Sequence, residues 1–152
     1  MTFNKIGKRR LSICAERLVA RGKENDPKKA LDKAHDLLSS VDNVRKQLKL
    51  EINNLITLVS QSRTCPFQNP MPIFNTYLEV SRKCLELANT GYEYDTFMRR
   101  QVGRHWVNKG ILFLKKAQEY IKNVKVTNGE YDYINTQVCD LNTALSEKLK
   151  NI

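Results

Sequence analysis

The chain has 152 residues, of which 41% are hydrophobic and 28% charged, and its formal net charge is +10. That length can bury a core within one domain without disulfide or metal staples, and the composition excludes a disordered chain. So large a charge predicts a positive field that draws nucleic acid, anionic headgroups or acidic protein surfaces, without choosing among them.

Apolar spacing predicts five helices and no strand. The first covers about residues 7–21, with Leu11, Cys14, Leu18 and Val19 on one side and Gly22 ending it. The second opens at Asp26, a good N-cap, followed by Pro27, whose missing N–H has no partner at the first helical position anyway. Leu31, Ala34, Leu38, Val41, Leu48, Ile52, Leu55 and Val59 then keep a single heptad phase, broken where Arg45 takes a seam position. Ala30, Leu37, Val44 and Leu58 widen the stripe, which suits a multi-helix bundle better than a two-stranded coiled coil. A helix over 27–61 would be roughly 50 Å long, with Ser39-Ser40 and Asp42-Asn43 as the place to kink or split. A charge at Arg45 suits an interface and is costly unless it reaches solvent or a carboxylate.

Pro66, Pro70 and Pro72 predict a connection over 61–72. A third helix follows at about 73–89, carrying Phe74, Leu78, Leu85 and Ala88, with Gly91 as its C-terminal glycine. The fourth covers about 93–125, with interruptions expected at Gly103 and at Asn108-Lys109-Gly110. Val107, Ile111, Leu114, Ala117, Ile121 and Val124 share its apolar face. Asn128-Gly129 reads as a turn, and a last helix over 130–151 sets Tyr131, Ile134, Val138, Leu141, Leu145 and Leu149 in phase. Long helices on short turns bury such stripes by packing antiparallel. The expected architecture is therefore an all-α bundle of four to five helices in one domain, 1–152, with residues 1–25 a basic N-terminal helix and loop.

The four cysteines, Cys14, Cys65, Cys84 and Cys139, contain no Cys-x-x-Cys pair, and His35 and His105 are the sole histidines, so neither a zinc site nor a cofactor is expected. Cys14, Cys84 and Cys139 lie on or beside apolar stripes, where a reduced thiol packs as a small hydrophobe. No apolar run reaches the length of a membrane span, and an intracellular setting, cytoplasmic or nuclear, is expected. The first 23 residues hold Lys5, Lys8, Arg9, Arg10, Arg17, Arg21 and Lys23 against Glu16 alone, a composition shared with mitochondrial presequences. A first helix packed on the bundle explains the same pattern and is the reading adopted.

There is no glycine-rich phosphate loop, no His-Glu-x-x-His and no nucleophile elbow. The one constellation with a chemical counterpart is Arg99-Arg100-Gln101-Val102-Gly103-Arg104-His105. Its spacing resembles the Arg-x(4–6)-His signature of the HEPN superfamily. That resemblance implies a dimer that cuts RNA without metal, Arg100 holding the scissile phosphate and His105 handling proton transfer. Gln101 stands where the family carries Asn, Asp or His, and Gly103 would loosen the supporting helix.

The same stretch is the most electropositive in the chain. Arg99, Arg100, Arg104, Lys109, Lys115, Lys116 and Lys122 form a candidate binding set, with Lys125 beyond them and Glu119 the one acid between. Tyr92, Tyr94 and Trp106 accompany them and are expected in the core ahead of serving as stacking platforms. Near the N-terminus, Arg9-Arg10-Leu11-Ser12-Ile13 matches an Arg-x-Leu cyclin-docking pattern and a basophilic kinase site, and Lys23-Glu24-Asn25 matches a tripeptide degron. Together these features predict a non-catalytic interaction module. It would serve as subunit or adaptor in an assembly, with a basic face for acidic protein or nucleic acid, and be compatible with oligomers. A HEPN-like RNase or toxin is the alternative, and a direct nucleic-acid-binding protein without chemistry is a third reading.

Overall fold

A computed structural model describes residues 6–62 and 69–152. These form five α-helices and, among the described residues, no strand: α1 Lys8–Ala20, α2 Pro27–Ser62, α3 Pro70–Asn89, α4 Thr96–Lys122 and α5 Asn128–Lys150. Consecutive helices pack antiparallel as a bundle, and α1 also touches α4. Cys65, Pro66 and Lys5 lie outside the described residues.

The ends follow local chemistry. α1 stops as predicted, where Gly22 at φ 69° lets the Lys23 amide donate back to the Leu18 carbonyl at 2.9 Å. At α2 the Asp26 carboxylate accepts from the Lys28 amide at 3.0 Å, and Pro27 fills the first position. The helix then runs 36 residues unbroken, roughly 54 Å. The split considered near residues 39–43 does not occur. Asp42 is turned outward to Arg10, so its carboxylate does not compete for the helix's own backbone.

Two helix starts lie earlier than the sequence suggests. α3 begins at Pro70, because Asn69 caps it through the Met71 amide at 3.0 Å. Pro70 and Pro72 sit in a first turn whose N–H groups have no intrahelical acceptor, so proline breaks nothing there. The connection therefore ends at 69, not 72. α5 begins at Asn128, since Thr127 and Glu130 form a reciprocal capping box that absorbs the expected Asn-Gly turn.

α4 is also continuous through both glycines. A Cβ at Gly110 would stand 3.0 Å from Leu145 Cδ2 and 3.3 Å from both Cys84 Cβ and the Ser81 carbonyl. One at Gly103 would meet Ile152 at 3.1 Å. Missing side chains there admit α3 and α5, and the Ser81 hydroxyl donates to the Gly110 carbonyl at 2.7 Å. These glycines serve close packing, which is why they do not break the helix.

The apolar interior falls into two clusters. The larger joins the second half of α2 to α3, α4 and α5 through Ile52, Phe74, Leu78, Leu87, Val107 and Leu145. The smaller holds Cys14, Ala15, Leu18, Ala30, Ala34 and Leu38 between α1 and the first half of α2. The predicted stripes are wider than what covers them: Leu31, Val44 and Leu58 on α2, Val19 on α1 and Tyr131 on α5 are exposed. Cys139 is exposed as well, beside the α5 stripe instead of within it.

Candidate functional site

Between the two clusters lies a buried ionic junction. The side chain of Asp95, in the connection from α3 to α4, is fully enclosed. Arg10 grips it with Nε at 3.0 Å and Nη2 at 2.8 Å while holding Asp42 with two further bonds at 2.8 and 3.0 Å. Arg45 adds a bond to Asp95 at 2.7 Å and one to the Thr90 carbonyl at 2.9 Å. Arg45, whose seam charge suggests an interface, thus spends its guanidinium on an internal carboxylate from 50 residues away.

Burial alone would raise the Asp95 carboxyl, but hydrogen bonds from Arg10 and Arg45, and their charges, hold it below the usual carboxylate range. The same pairing raises Arg10 against the opposing effect of its own burial. Two arginines and two aspartates cancel, so the junction is a structural tie with no net charge to offer a ligand.

The least balanced charge lies on α4. That helix carries seven Lys/Arg with Glu119 as its one acid, and none of the seven is in an ion pair among the described residues. They divide by use. Arg99 is half-buried, donates to the Tyr92 carbonyl at 2.9 Å and lies over that ring at 4.2 Å. Lys109 sits over Trp106 at 5.0 Å and Lys116 over Phe113 at 4.7 Å. Arg100, Arg104, Lys115 and Lys122 project into solvent without such a contact among the described residues.

Arg100 and His105 line one shallow open depression together with Phe97, Gln101 and Arg104. Because α4 stays helical through Gly103, these side chains share its outward arc. His105 is exposed and meets the buried Trp106 edge-on at 5.1 Å. Further along the same side, Lys115, Lys116, Leu112 and Glu119 border a second depression with Tyr77 and Tyr120. Glu119 is the sole carboxylate bordering either one.

Of the aromatics read from sequence, Trp106 is buried and Tyr94 packs on the smaller cluster. Tyr92 is clamped between Arg99 and Lys148, its hydroxyl donating to the Asn151 carbonyl at 2.7 Å. On α4 the accessible ring is Phe97, 46% exposed, while Tyr131 and Tyr133 are exposed on α5. The signal for Phe97, absent from the candidate set, is present in the sequence: it lies roughly 110° around the helix from the mean direction of Gly103, Val107, Gly110 and Leu114, outside the buried face.

The short N-terminal patterns are folded into structure. Arg10 is held by the junction, Leu11 packs on the smaller cluster and Ser12 is exposed. The Glu24 carboxylate pairs with Lys33 at 2.8 Å and accepts from the amides of Asp26 and Asn25, and Lys33 chiefly, then these amides, lower its pKa to about 2. Burial pushes the Cys14 thiol up to about 11 and that of Cys84 up to about 12, so neither is a nucleophile. Among the described residues no three His, Cys, Asp or Glu side chains converge as a metal site needs, and no helix is long and apolar enough to cross a membrane. Compared with known protein families, with characterised proteins and with solved structures, the chain shows no significant match.

Proposed function

We propose that this chain is a non-catalytic helical interaction module, a subunit or adaptor that meets an anionic partner through the outward face of α4. The carrying observation is the division of labour among the cations. Unpaired cations such as Lys28, Lys29 and Lys46 also occur on α2, but there Asp32, Asp36, Asp42 and Glu51 share the helix, whereas the seven α4 cations have Glu119 alone beside them and find no carboxylate among the described residues. Unneutralised charge on one face repels itself, and an anionic partner relieves that repulsion.

Retention on immobilised heparin checks the reading. Arg100→Gln, Arg104→Gln and Lys115→Gln combined should elute at clearly lower salt than the parent chain. Removing the same number of cations from α2 (Lys28, Lys29, Lys46) should have the smaller effect. Equal shifts from the two sets would remove α4 from its assigned role.

A second reading, metal-independent RNA cleavage across a dimer, is favoured by the depression that Arg100 and His105 share. Incubation with single-stranded RNA beside a His105→Ala control decides it. Cleavage abolished by the substitution supports the reading, and no cleavage, or cleavage indifferent to it, ends it.

A further inference from the structure

We infer, on the footing that α4 is the anion-binding face, that its partner is single-stranded nucleic acid, with Phe97 as a platform on which a base stacks between phosphates held by Arg100 and Arg104. Exposed aromatics occur singly on many surfaces and mean little alone. Phe97 differs in its surroundings. Arg9 reaches across from α1 to within 5.9 Å of the ring centroid, and Arg100 and Arg104 border the depression in which the ring lies. Gln101 and His105 add polar groups at its edge, and no carboxylate lines it.

A flat ring ringed by guanidinium groups in an open, shallow site suits a planar base whose flanking phosphates need cations. The second depression, with Lys115, Lys116 and the half-buried Tyr120, lies farther along the same helix. From Phe97 to Lys115 the axis rises roughly 27 Å. A strand lying along it would have a run of cations beneath it, within the span of about 4–16 nucleotides common for such sites.

Shape argues against a duplex. A reading helix must enter a major groove about 12 Å wide, little more than one helix can occupy. Here α1 flanks the first turns of α4, its Arg9 within 5.9 Å of the Phe97 ring centroid, so α4 cannot enter a groove alone. An acidic protein surface would use the cations and leave the ring without a counterpart.

Fluorescence anisotropy of the full chain with a labelled 12-nucleotide mixed-sequence RNA tests this. The competitors are the same sequence as a duplex and poly-glutamate, and heparin retention is measured in parallel. The expected result is tighter binding of the single strand than of either competitor. Phe97→Ala and Phe97→Leu should each weaken it about 5- to 140-fold, the loss of one stacked base, with heparin retention unchanged. Phe97→Tyr should keep the affinity. Phe97 is exposed, so these variants should fold, and Leu retains apolar bulk should Ala not. Single-strand affinity unmoved by Phe97→Leu, or a duplex or poly-glutamate bound as tightly, overturns the single-strand inference and leaves the anion-binding face standing. Absence of binding to both heparin and RNA at low salt removes both.

Discussion

The two ends of this bundle are held by opposite means. Where α3, α4 and α5 meet, the contact is apolar and close, with Gly103 and Gly110 bringing the helices together around Leu145 and Val107. Where α1 meets α2 and the α3–α4 connection, the smaller cluster is built largely of Cys14 and alanines, and the junction of Arg10, Arg45, Asp42 and Asp95 stands beside it. A core of small side chains buries little area per contact, so it specifies position weakly. The ionic junction supplies that specification, since its bidentate bonds fit one arrangement of three segments. The charge unsuited to a seam is the price of orienting a helix whose own apolar face is thin.

That contrast can be broken most strongly at Asp95. Asp95→Ala leaves two buried guanidinium groups facing a single carboxylate and should cost about 3–5 kcal/mol. Leu145→Ala in the apolar half should cost about 2–5 kcal/mol through a cavity. Comparable losses by urea unfolding would put the two ends on an equal footing, and a loss under 1 kcal/mol at Asp95 would demote the junction.

The pH dependence separates them further. The folded-state pKa of Asp95 is depressed below its ordinary value of about 4, so its stabilisation is present above that value. It disappears as pH falls through the lower folded value. Unfolding midpoints should therefore drop more steeply below pH ~4 in the parent chain than in Asp95→Asn.

A smaller effect probes the apolar contact. Gly110→Ala forces a methyl against Leu145, Cys84 and Ser81 and should destabilise by about 1–3 kcal/mol. Gly129→Ala, in the first turn of α5 with nothing within 4 Å, should stabilise by up to ~1 kcal/mol. Matching signs in thermal melts would contradict the close-packing role of Gly110.

The smallest effect is chemical. In a Cys65→Ser background, Cys139 should react with an aromatic disulfide reagent in the native state, while Cys14 and Cys84 should react only on unfolding. Native reactivity of Cys14 would mean that the α1 end opens far more readily than the α4 end.

The helices were legible because their apolar residues repeat at three and four steps, and the ends at Gly22, Asp26 and Gly91 because those residues are locally committed. The starts at Pro70 and Asn128 were not. Proline in a first turn looks, in sequence, like proline in a loop, and only the cap from Asn69 decides. Gly103 and Gly110 are ambiguous for a similar reason: a helical glycine is a weakness until a neighbouring helix needs its space. Arg45 was legible as a charge in need of a carboxylate, yet nothing local points to Asp95, because separations of 50 and 85 residues are closed by tertiary packing alone. On α4 the candidate cations were visible as a cluster. Which of them are engaged with rings and carbonyls, and that Phe97 is the α4 ring left exposed, depends on which arc of the helix its neighbours cover.

The six-residue link from Thr90 to Asp95 inverts the usual ranking of tolerance to change. Bends between helices ordinarily accept inserted residues more easily than the helices themselves. This one carries Gly91 at φ 71°, pressed against Val41, and ends on the carboxylate shared by two arginines from separate helices. One added residue there would shift that carboxylate by up to about 3.8 Å, beyond the reach of both guanidinium groups at once. The link behaves as a keystone, and evolution or engineering would find room to lengthen the molecule elsewhere first.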